Sequence, residues 1–173
     1  PPSWGARLAT AIKSSCRCST TWLVRLKNLM SGFDEFAFDD LGIDEEEFAQ
    51  IVEGSSLIGD VGMWAIREAC RRAVLWPDSV RIAVNVPVPL FLSENFVGEI
   101  EGALTEAGLM PGRLELEISE AVFFGETSIV DRTLANLFKL GVRMTLDEFG
   151  SGYSSLAYLR RAPFDSIKID QKL

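Results

Sequence analysis

The sequence contains no histidine among its 173 residues. This absence excludes nucleophilic catalysis of the Ser-His and Cys-His types, and it excludes metal sites with imidazole ligands. Any acid–base chemistry in this chain must therefore use Asp, Glu, Lys or Tyr side chains.

Cysteine is scarce, and its count of three is odd, which argues against a disulfide framework. Cys16 and Cys18 lie close together, but no second cysteine pair and no histidine is present to complete a zinc site. We therefore expect free thiols and a cytoplasmic location.

Long apolar runs and basic stripes are also missing. No stretch of about 18 apolar residues is present, so we expect no membrane span, and the first residues do not resemble a signal peptide. With 17 basic and 25 acidic residues, the formal net charge is −8. Binding to long nucleic acid is not expected because it depends on neutralising many phosphates. A small phosphorylated ligand held through metal ions is compatible with an acidic protein.

The sequence does contain a regular alternation of apolar strands and helices. The hydrophobic content of 47% is sufficient for one globular domain with a core. The pattern predicts strands over 81–86, 114–119, 142–146 and 166–169, with helices over about 93–107, 128–140 and 154–161 between them. Two further helices are predicted before the first strand, one beginning near residue 44 and one ending before Trp76. This alternation predicts βα units and a parallel sheet.

A polar residue recurs once per βα unit, inside or just after each apolar strand. These residues are Asn85, Glu117, Asp147 and Lys168. In a βα barrel the carboxyl ends of the strands meet on one rim, where catalytic residues come from several strands. A single buried Asn or Lys is usually structural, but burying four polar groups without purpose would be costly. We therefore expect the four to form one site.

The predicted rim has the chemistry of a divalent metal site. Glu117, Asp147 and the Asn85 amide offer hard oxygen ligands suited to Mg²⁺ or Mn²⁺. Glu148 either reaches a second metal or is a solvated acid at the strand end. Two metals about 4 Å apart are a common arrangement for attack on a phosphodiester. Lys168 would orient the attacking water or neutralise a phosphate.

A glycine-rich segment, Phe-Gly-Ser-Gly-Tyr-Ser-Ser over residues 149–155, follows the acid pair. Its glycines permit a tight turn, and by itself it is a weak phosphate-binding signal. Glu120 either anchors this loop through hydrogen bonds to its backbone or is a solvated acid.

Three segments resemble one known family. Residues 146–170, LDEFGSGYSSLAYLRRAPFDSIKID, resemble the most recognisable segment of the EAL domain, the bacterial cyclic di-GMP phosphodiesterase family. The segment LELEISE at residues 114–120 resembles its "ELTE" strand, and VNVP at 84–87 resembles its "NVS" strand. The resemblance is continuous from about residue 44 to residue 173.

The resemblance implies a TIM-like (β/α) barrel that hydrolyses cyclic di-GMP to the linear dinucleotide with two Mg²⁺ or Mn²⁺ ions. By position, the implied metal ligands are Asn85, Glu117, Asp147 and Glu148, the last standing where the family has an Asp. Lys168 and Glu120 would be catalytic, the first by positioning water and the second by anchoring the glycine-rich loop. Arg25 and Asp147 would hold the cyclic dinucleotide.

The chain departs from the family pattern at three places. Thr21 stands where the family has a metal-binding Glu, Glu148 replaces an Asp, and the sequence stops at Leu173, before the last two strands of the family barrel. We expect residues 1–40 to hold a degenerate first part of the barrel and residues 41–173 its EAL-type part. The incomplete barrel would expose strand edges, which favour a homodimer or a protein partner.

These departures leave two functional hypotheses. The first is a cyclic di-GMP phosphodiesterase whose turnover in this chain is weak or absent, because catalysis here depends on charge positioned by metal ions. The second is a degenerate EAL module that binds cyclic di-GMP or a protein partner and regulates without cleaving.

Overall fold

A parallel four-stranded sheet forms the centre of the computed structural model, which describes residues 58–124, 127–150 and 163–169. The strands pair in the order in which they follow one another along the chain. Their bounds are β1 Ile82–Val86, β2 Leu114–Ser119, β3 Arg143–Phe149 and β4 Ser166–Ile169. The predicted parallel sheet of βα units is therefore confirmed.

Helices precede and connect these strands. They are α1 Ile58–Ala73, α2 Val88–Phe91, α3 Phe96–Ala107 and α4 Thr127–Leu140, with 3₁₀ turns over Pro111–Arg113 and Glu120–Phe124. α1 carries Arg71 and Arg72 in its last turn, where positive charge complements the helix dipole. α3 ends at Gly108, which adopts a left-handed conformation (φ +71°) that suits glycine after a helix.

Two element boundaries differ from the prediction by three residues. β3 continues to Phe149 rather than ending at Leu146, so Asp147 and Glu148 belong to the strand. The predicted helix over 93–107 begins at Phe96, and the short helix α2 precedes it. Pro89 lies in the first turn of α2, where proline is tolerated because the first N–H groups of a helix have no intrahelical partner.

The core lies between one face of the sheet and the helices. Alternate strand residues are buried on this face, as the pleat of a strand requires. The largest fully buried strand side chains are Leu114, Leu116, Ile118, Met144 and Leu146, and those from the helices include Ile66, Phe91, Phe96, Ile100, Val130 and Leu137. The opposite face of the strands carries the polar residues.

Arg113 fixes the end of α1 to the beginning of β2. Its side chain is buried, and its guanidinium donates hydrogen bonds to the carbonyls of Ala73 (2.6 Å) and Val80 (3.0 Å). Ala73 is the last residue of α1, and the last carbonyls of a helix lack intrahelical partners. The arginine therefore satisfies a helix terminus and the loop that leads into β1.

The predicted helices before residue 57 and over 154–161 lie outside the described residues, as do the cysteine pair and residues 1–40. The described residues all belong to one unit, Val52–Leu173. Among them, no helix combines the length and the apolar character that crossing a membrane would require.

Candidate functional site

The sheet brings Asn85, Glu117 and Asp147 to the same end of neighbouring strands. Asn85 pairs in register with Glu117 on β2. Asp147, near the end of β3, pairs in register with Ser119, the last residue of β2. Because these residues alternate with buried core residues, they share the face of the sheet opposite the core. Three of the four residues predicted to form the site therefore lie together.

Lys168 joins this group through a direct ion pair. Its ammonium donates a hydrogen bond to Oε1 of Glu117, which lies 51 residues earlier in the chain. The Glu117 side chain is only 3% exposed, whereas that of Lys168 is 38% exposed. A buried carboxylate requires a charged or hydrogen-bonding partner, and here the ammonium is one. The fourth predicted residue thus reaches from β4 across β3 to β2.

Asp147 and Glu148 lie at an irregularity in β3. The pairing of β3 with β4 shifts register between Leu146 and Phe149. Glu148 has φ +58°, and it is the sole residue other than glycine with positive φ among the residues that the structure describes. Bulges and left-handed residues recur next to active sites because they redirect side chains.

The irregularity sends the Glu148 side chain towards β2. The Ser119 hydroxyl donates a hydrogen bond to Oε2 of Glu148 (3.3 Å), and Oδ1 of Asp147 accepts one from the Glu148 backbone N–H (2.9 Å). Glu148 was interpreted either as a ligand of a second metal or as a solvated acid. Its hydrogen bond with Ser119 belongs to neither interpretation. The role of Glu148 as a metal ligand stays a prediction.

Glu120 holds the beginning of the glycine-rich loop. Its side chain is buried, with 2% exposure, and Oε2 accepts a hydrogen bond from the backbone N–H of Gly150 (3.1 Å). The interpretation of Glu120 as a solvated acid is therefore wrong for this residue. Three residues later, Phe123 packs edge-on against Phe164, with ring centroids 6.2 Å apart. The 3₁₀ turn over Glu120–Phe124 thus contacts segments on both sides of residues 151–162.

The side-chain oxygens at this rim are of the chemical type that binds divalent metals. Glu117, Asp147 and Asn85 provide the carboxylate and amide oxygens that hard cations prefer. Within residues 58–124, 127–150 and 163–169, however, no three His, Cys, Asp or Glu side chains are grouped closely enough to hold a metal ion. The acids are thus of the type that binds divalent metals, but among the described residues they do not form a cluster of three. Thr21 and Arg25 lie outside the described residues.

A second polar layer on the same face was not predicted from the sequence. The Thr145 hydroxyl donates to Oε1 of Glu115 (2.6 Å) and is hydrogen-bonded to the Ser166 hydroxyl. Just before β4, the Asp165 carboxylate accepts from the backbone N–H of Met144 (2.9 Å) and forms an ion pair with Arg143 (2.9 Å). The only sequence signal for this layer was a threonine inside an apolar strand.

Comparison with known proteins adds a family match. The family model described as the EAL domain matches residues 37–173. This range includes every residue of the rim described above.

Two curated relatives illustrate the match. The uncharacterised protein y4lL of Sinorhizobium fredii is 41% identical over 129 residues, which cover 75% of this chain and 16% of that protein. The bifunctional diguanylate cyclase/cyclic di-GMP phosphodiesterase MucR of Pseudomonas aeruginosa is 36% identical over 129 residues, covering 72% of this chain and 19% of MucR. The chain therefore spans about a fifth or less of the length of these relatives.

Solved structures agree with the sequence matches. The PaMucR phosphodiesterase in complex with c-di-GMP has a TM-score of 0.68 and 35% identity, covering 75% of this chain and 54% of that chain. The manganese/cy-diGMP complex of Klebsiella pneumoniae BlrP1 has a TM-score of 0.63 and 26% identity, covering 73% of this chain and 32% of that one. The predicted TIM-like α/β architecture is confirmed by these neighbours.

Proposed function

The chain belongs to the EAL domain family, and from this premise we propose that it carries part of a metal-dependent cyclic di-GMP phosphodiesterase site whose turnover in this chain is weak or absent. The observation that carries the proposal is the contact between Lys168 and the buried Glu117, at the strand ends where Asn85 and Asp147 also lie. Catalytic groups of βα barrels come from the carboxyl ends of several strands in this way.

Each residue of the rim has a proposed role. Asn85, Glu117 and Asp147 would hold Mg²⁺ or Mn²⁺, which when bound stabilises charge that develops on a phosphodiester. Lys168 would hold a water molecule or a phosphate oxygen beside Glu117. Glu120 would keep the glycine-rich loop in place through Gly150.

The support for weak turnover comes from the sequence and the rim together. Thr21 offers a neutral hydroxyl where the family has a carboxylate. Glu148 is longer than the family's Asp, has left-handed backbone and contacts Ser119. No three acids are grouped for metal binding among the described residues. These observations also favour the second candidate function, an EAL module that binds cyclic di-GMP, with help from Arg25, without cleaving it.

The setting of the site is part of the proposal. A cytoplasmic location agrees with Cys70, which is buried and free. A homodimer or a protein partner agrees with β4, an edge strand of the described sheet whose Ile167 and Ile169 side chains are 43% and 69% exposed.

Turnover is tested by incubating the chain with cyclic di-GMP and Mn²⁺ and separating the products by chromatography. We expect at most traces of the linear dinucleotide. The variant carrying Thr21→Glu together with Glu148→Asp restores two carboxylates of family length and should be faster by a factor of about 100 or more, the scale of a lost electrostatic group. A matched control is Thr20→Glu, which adds the same charge one position away. Ready turnover by the unmodified chain would contradict the proposed weakness.

Binding is tested by calorimetry with Mn²⁺ and then with cyclic di-GMP. The Glu117→Gln variant should lose Mn²⁺ binding, because an amide is a poorer ligand than a carboxylate for hard cations. The Glu106→Gln variant, which changes an exposed residue of α3, should bind as the unmodified chain does. If the unmodified chain binds neither Mn²⁺ nor cyclic di-GMP, the phosphodiesterase site and the cyclic di-GMP-binding function are both refuted, and a module that binds a protein partner is left.

A further inference from the structure

The polar layer beside the rim contains a directional chain of hydrogen bonds. Thr145 is completely buried, with 0% exposure, so its hydroxyl must be hydrogen-bonded to avoid a large desolvation cost. The hydroxyl has one proton, and it donates that proton to the carboxylate of Glu115 (2.6 Å). In the contact between Thr145 and Ser166, the Ser166 hydroxyl must therefore be the donor. We call this chain, Ser166 to Thr145 to Glu115, the hydroxyl relay.

The hydroxyl relay runs alongside the ion pair between Lys168 and Glu117. Glu115 and Glu117 lie two positions apart on the same face of β2, and Ser166 and Lys168 are related in the same way on β4. Both connections therefore extend from β4 across β3 to β2. They are neighbours separated by one side-chain repeat along the strands, about 7 Å.

Strand β4 pairs with β3 through the backbone, but this pairing becomes irregular between Leu146 and Phe149, at the level of Lys168. β4 has four residues, and Ile167 and Ile169 on its other face are substantially exposed, so apolar burial contributes little to its position. Asp165 connects the residue before the strand to Met144 and to Arg143 on β3. Within the strand, the side-chain contact nearest to Lys168 on the same face is the hydrogen bond between Ser166 and Thr145.

We propose that the hydroxyl relay positions Lys168. It holds β4 in the position along β3 at which the Lys168 ammonium reaches Glu117. Ser166, Thr145 and Glu115 are positioning residues, since they act through Lys168 and do not touch a substrate. The flexible lysine side chain has many solvent-exposed rotamers, and a β4 free to shift would favour these over the buried carboxylate. The functional meaning of this inference rests on the proposed phosphodiesterase site, whereas the positioning itself does not.

The test measures how readily Lys168 reacts with an acetylating reagent, using quantitative mass spectrometry without metal or dinucleotide. Lys139, exposed on α4, is the internal reference. Thr145→Val keeps the shape of the side chain and removes its hydroxyl. We expect acetylation of Lys168 relative to Lys139 to rise about fivefold, the factor that corresponds to one lost buried hydrogen bond. Glu117→Gln should have an effect at least as large.

A rescue variant separates positioning from general loosening. Thr145→Ser retains the hydroxyl and should keep the Lys168 rate within about twofold of that of the unmodified chain. Ser166→Ala removes the first donor at an exposed position and should raise the rate as Thr145→Val does. If circular dichroism shows that Thr145→Val does not fold, Ser166→Ala decides the question alone.

The inference is overturned if Lys168 in the folded variants reacts at the rate of the unmodified chain, or if Thr145→Ser fails to restore protection. It fails separately from the proposed function, because Mn²⁺ binding by the unmodified chain plays no part in the acetylation measurement. Conversely, a chain that binds no Mn²⁺ still reports through Lys168 whether the relay positions the ammonium.

Discussion

Replacing Arg113 by methionine removes the side chain that connects α1, the loop before β1 and the beginning of β2. Two of its hydrogen bonds, to Ala73 O (2.6 Å) and Val80 O (3.0 Å), are made by a side chain that is 9% exposed. A hydrogen bond to a charged group contributes about 1.5–3 kcal/mol, and an unsatisfied buried carbonyl costs about 1–3 kcal/mol. The charged side chain also loses hydration when it is buried, which offsets part of this gain. We therefore expect the variant to lose about 3 kcal/mol of unfolding free energy.

Thermal and urea denaturation, followed by tryptophan fluorescence, measure this loss. Trp76 lies at the changed site, since its carbonyl accepts a hydrogen bond from Arg113 (3.3 Å). For a domain of this size, 3 kcal/mol corresponds to a fall in Tm of about 9 °C. Arg113→Lys retains the charge but presents one donor atom in place of a planar fork, so it should lose about half as much.

The matched control is Arg81→Met, which removes an exposed arginine just before β1 and should change the free energy by no more than about 0.5 kcal/mol. The exposed Asp78, 95% exposed, contributes little to the balance because surface ion pairs are weak. If Arg113→Met lowers Tm no more than Arg81→Met does, the carbonyl contacts do not stabilise the fold and the reasoning is refuted.

Three further perturbations concern stability. Gly62→Ala brings a methyl group within 3.0 Å of the Leu90 side chain and should lower the unfolding free energy by about 1 kcal/mol. Gly102→Ala has open space around it in α3 and should raise the unfolding free energy by about 1 kcal/mol. A shift of Tm in the same direction for both variants in thermal denaturation would contradict this. Glu148→Gly relieves the left-handed backbone at φ +58° and should raise the unfolding free energy by about 1 kcal/mol in urea titrations, a gain that fails to appear if the residue is unstrained. Burial raises the pKa of the Cys70 thiol from 9.0 to about 11. The unfolded chain therefore loses this proton first, and stability should fall by about 1.4 kcal/mol per pH unit between pH 9 and pH 11. This component should be missing from Cys70→Ala, and an identical pH dependence in the two proteins would count against it.

The sheet could be predicted from the sequence because its strands are short apolar runs separated by clear helices. β2 and β4 have the predicted bounds. The predicted end of β3 was wrong because the strand continues through Asp147 and Glu148, where its pairing with β4 becomes irregular. The helix Val88–Phe91 was not predicted; it has only four residues, and its Pro89 lies in the first turn, where proline is acceptable.

The site could be predicted only in part. The recurrence of one polar residue per βα unit was sufficient to place Asn85, Glu117 and Asp147 on one rim with Lys168. The hydroxyl relay could not be anticipated, because Thr145 meets Ser166 only through a strand register that hydropathy does not reveal. The role of Arg113 has the same origin: most of its partners are backbone carbonyls, which every residue possesses.

The chain order of the strands has a consequence for how the site comes into existence during synthesis. Since each described strand pairs with the one made just before it, the sheet can assemble one βα unit at a time as the chain leaves the ribosome, without long loops to close. Asn85, Glu117 and Asp147 would then be in place before Lys168 emerges. The fourth of the described strands thus supplies the positive charge to acids that are already assembled, and an interruption of synthesis before β4 would leave Glu117 without its ammonium partner.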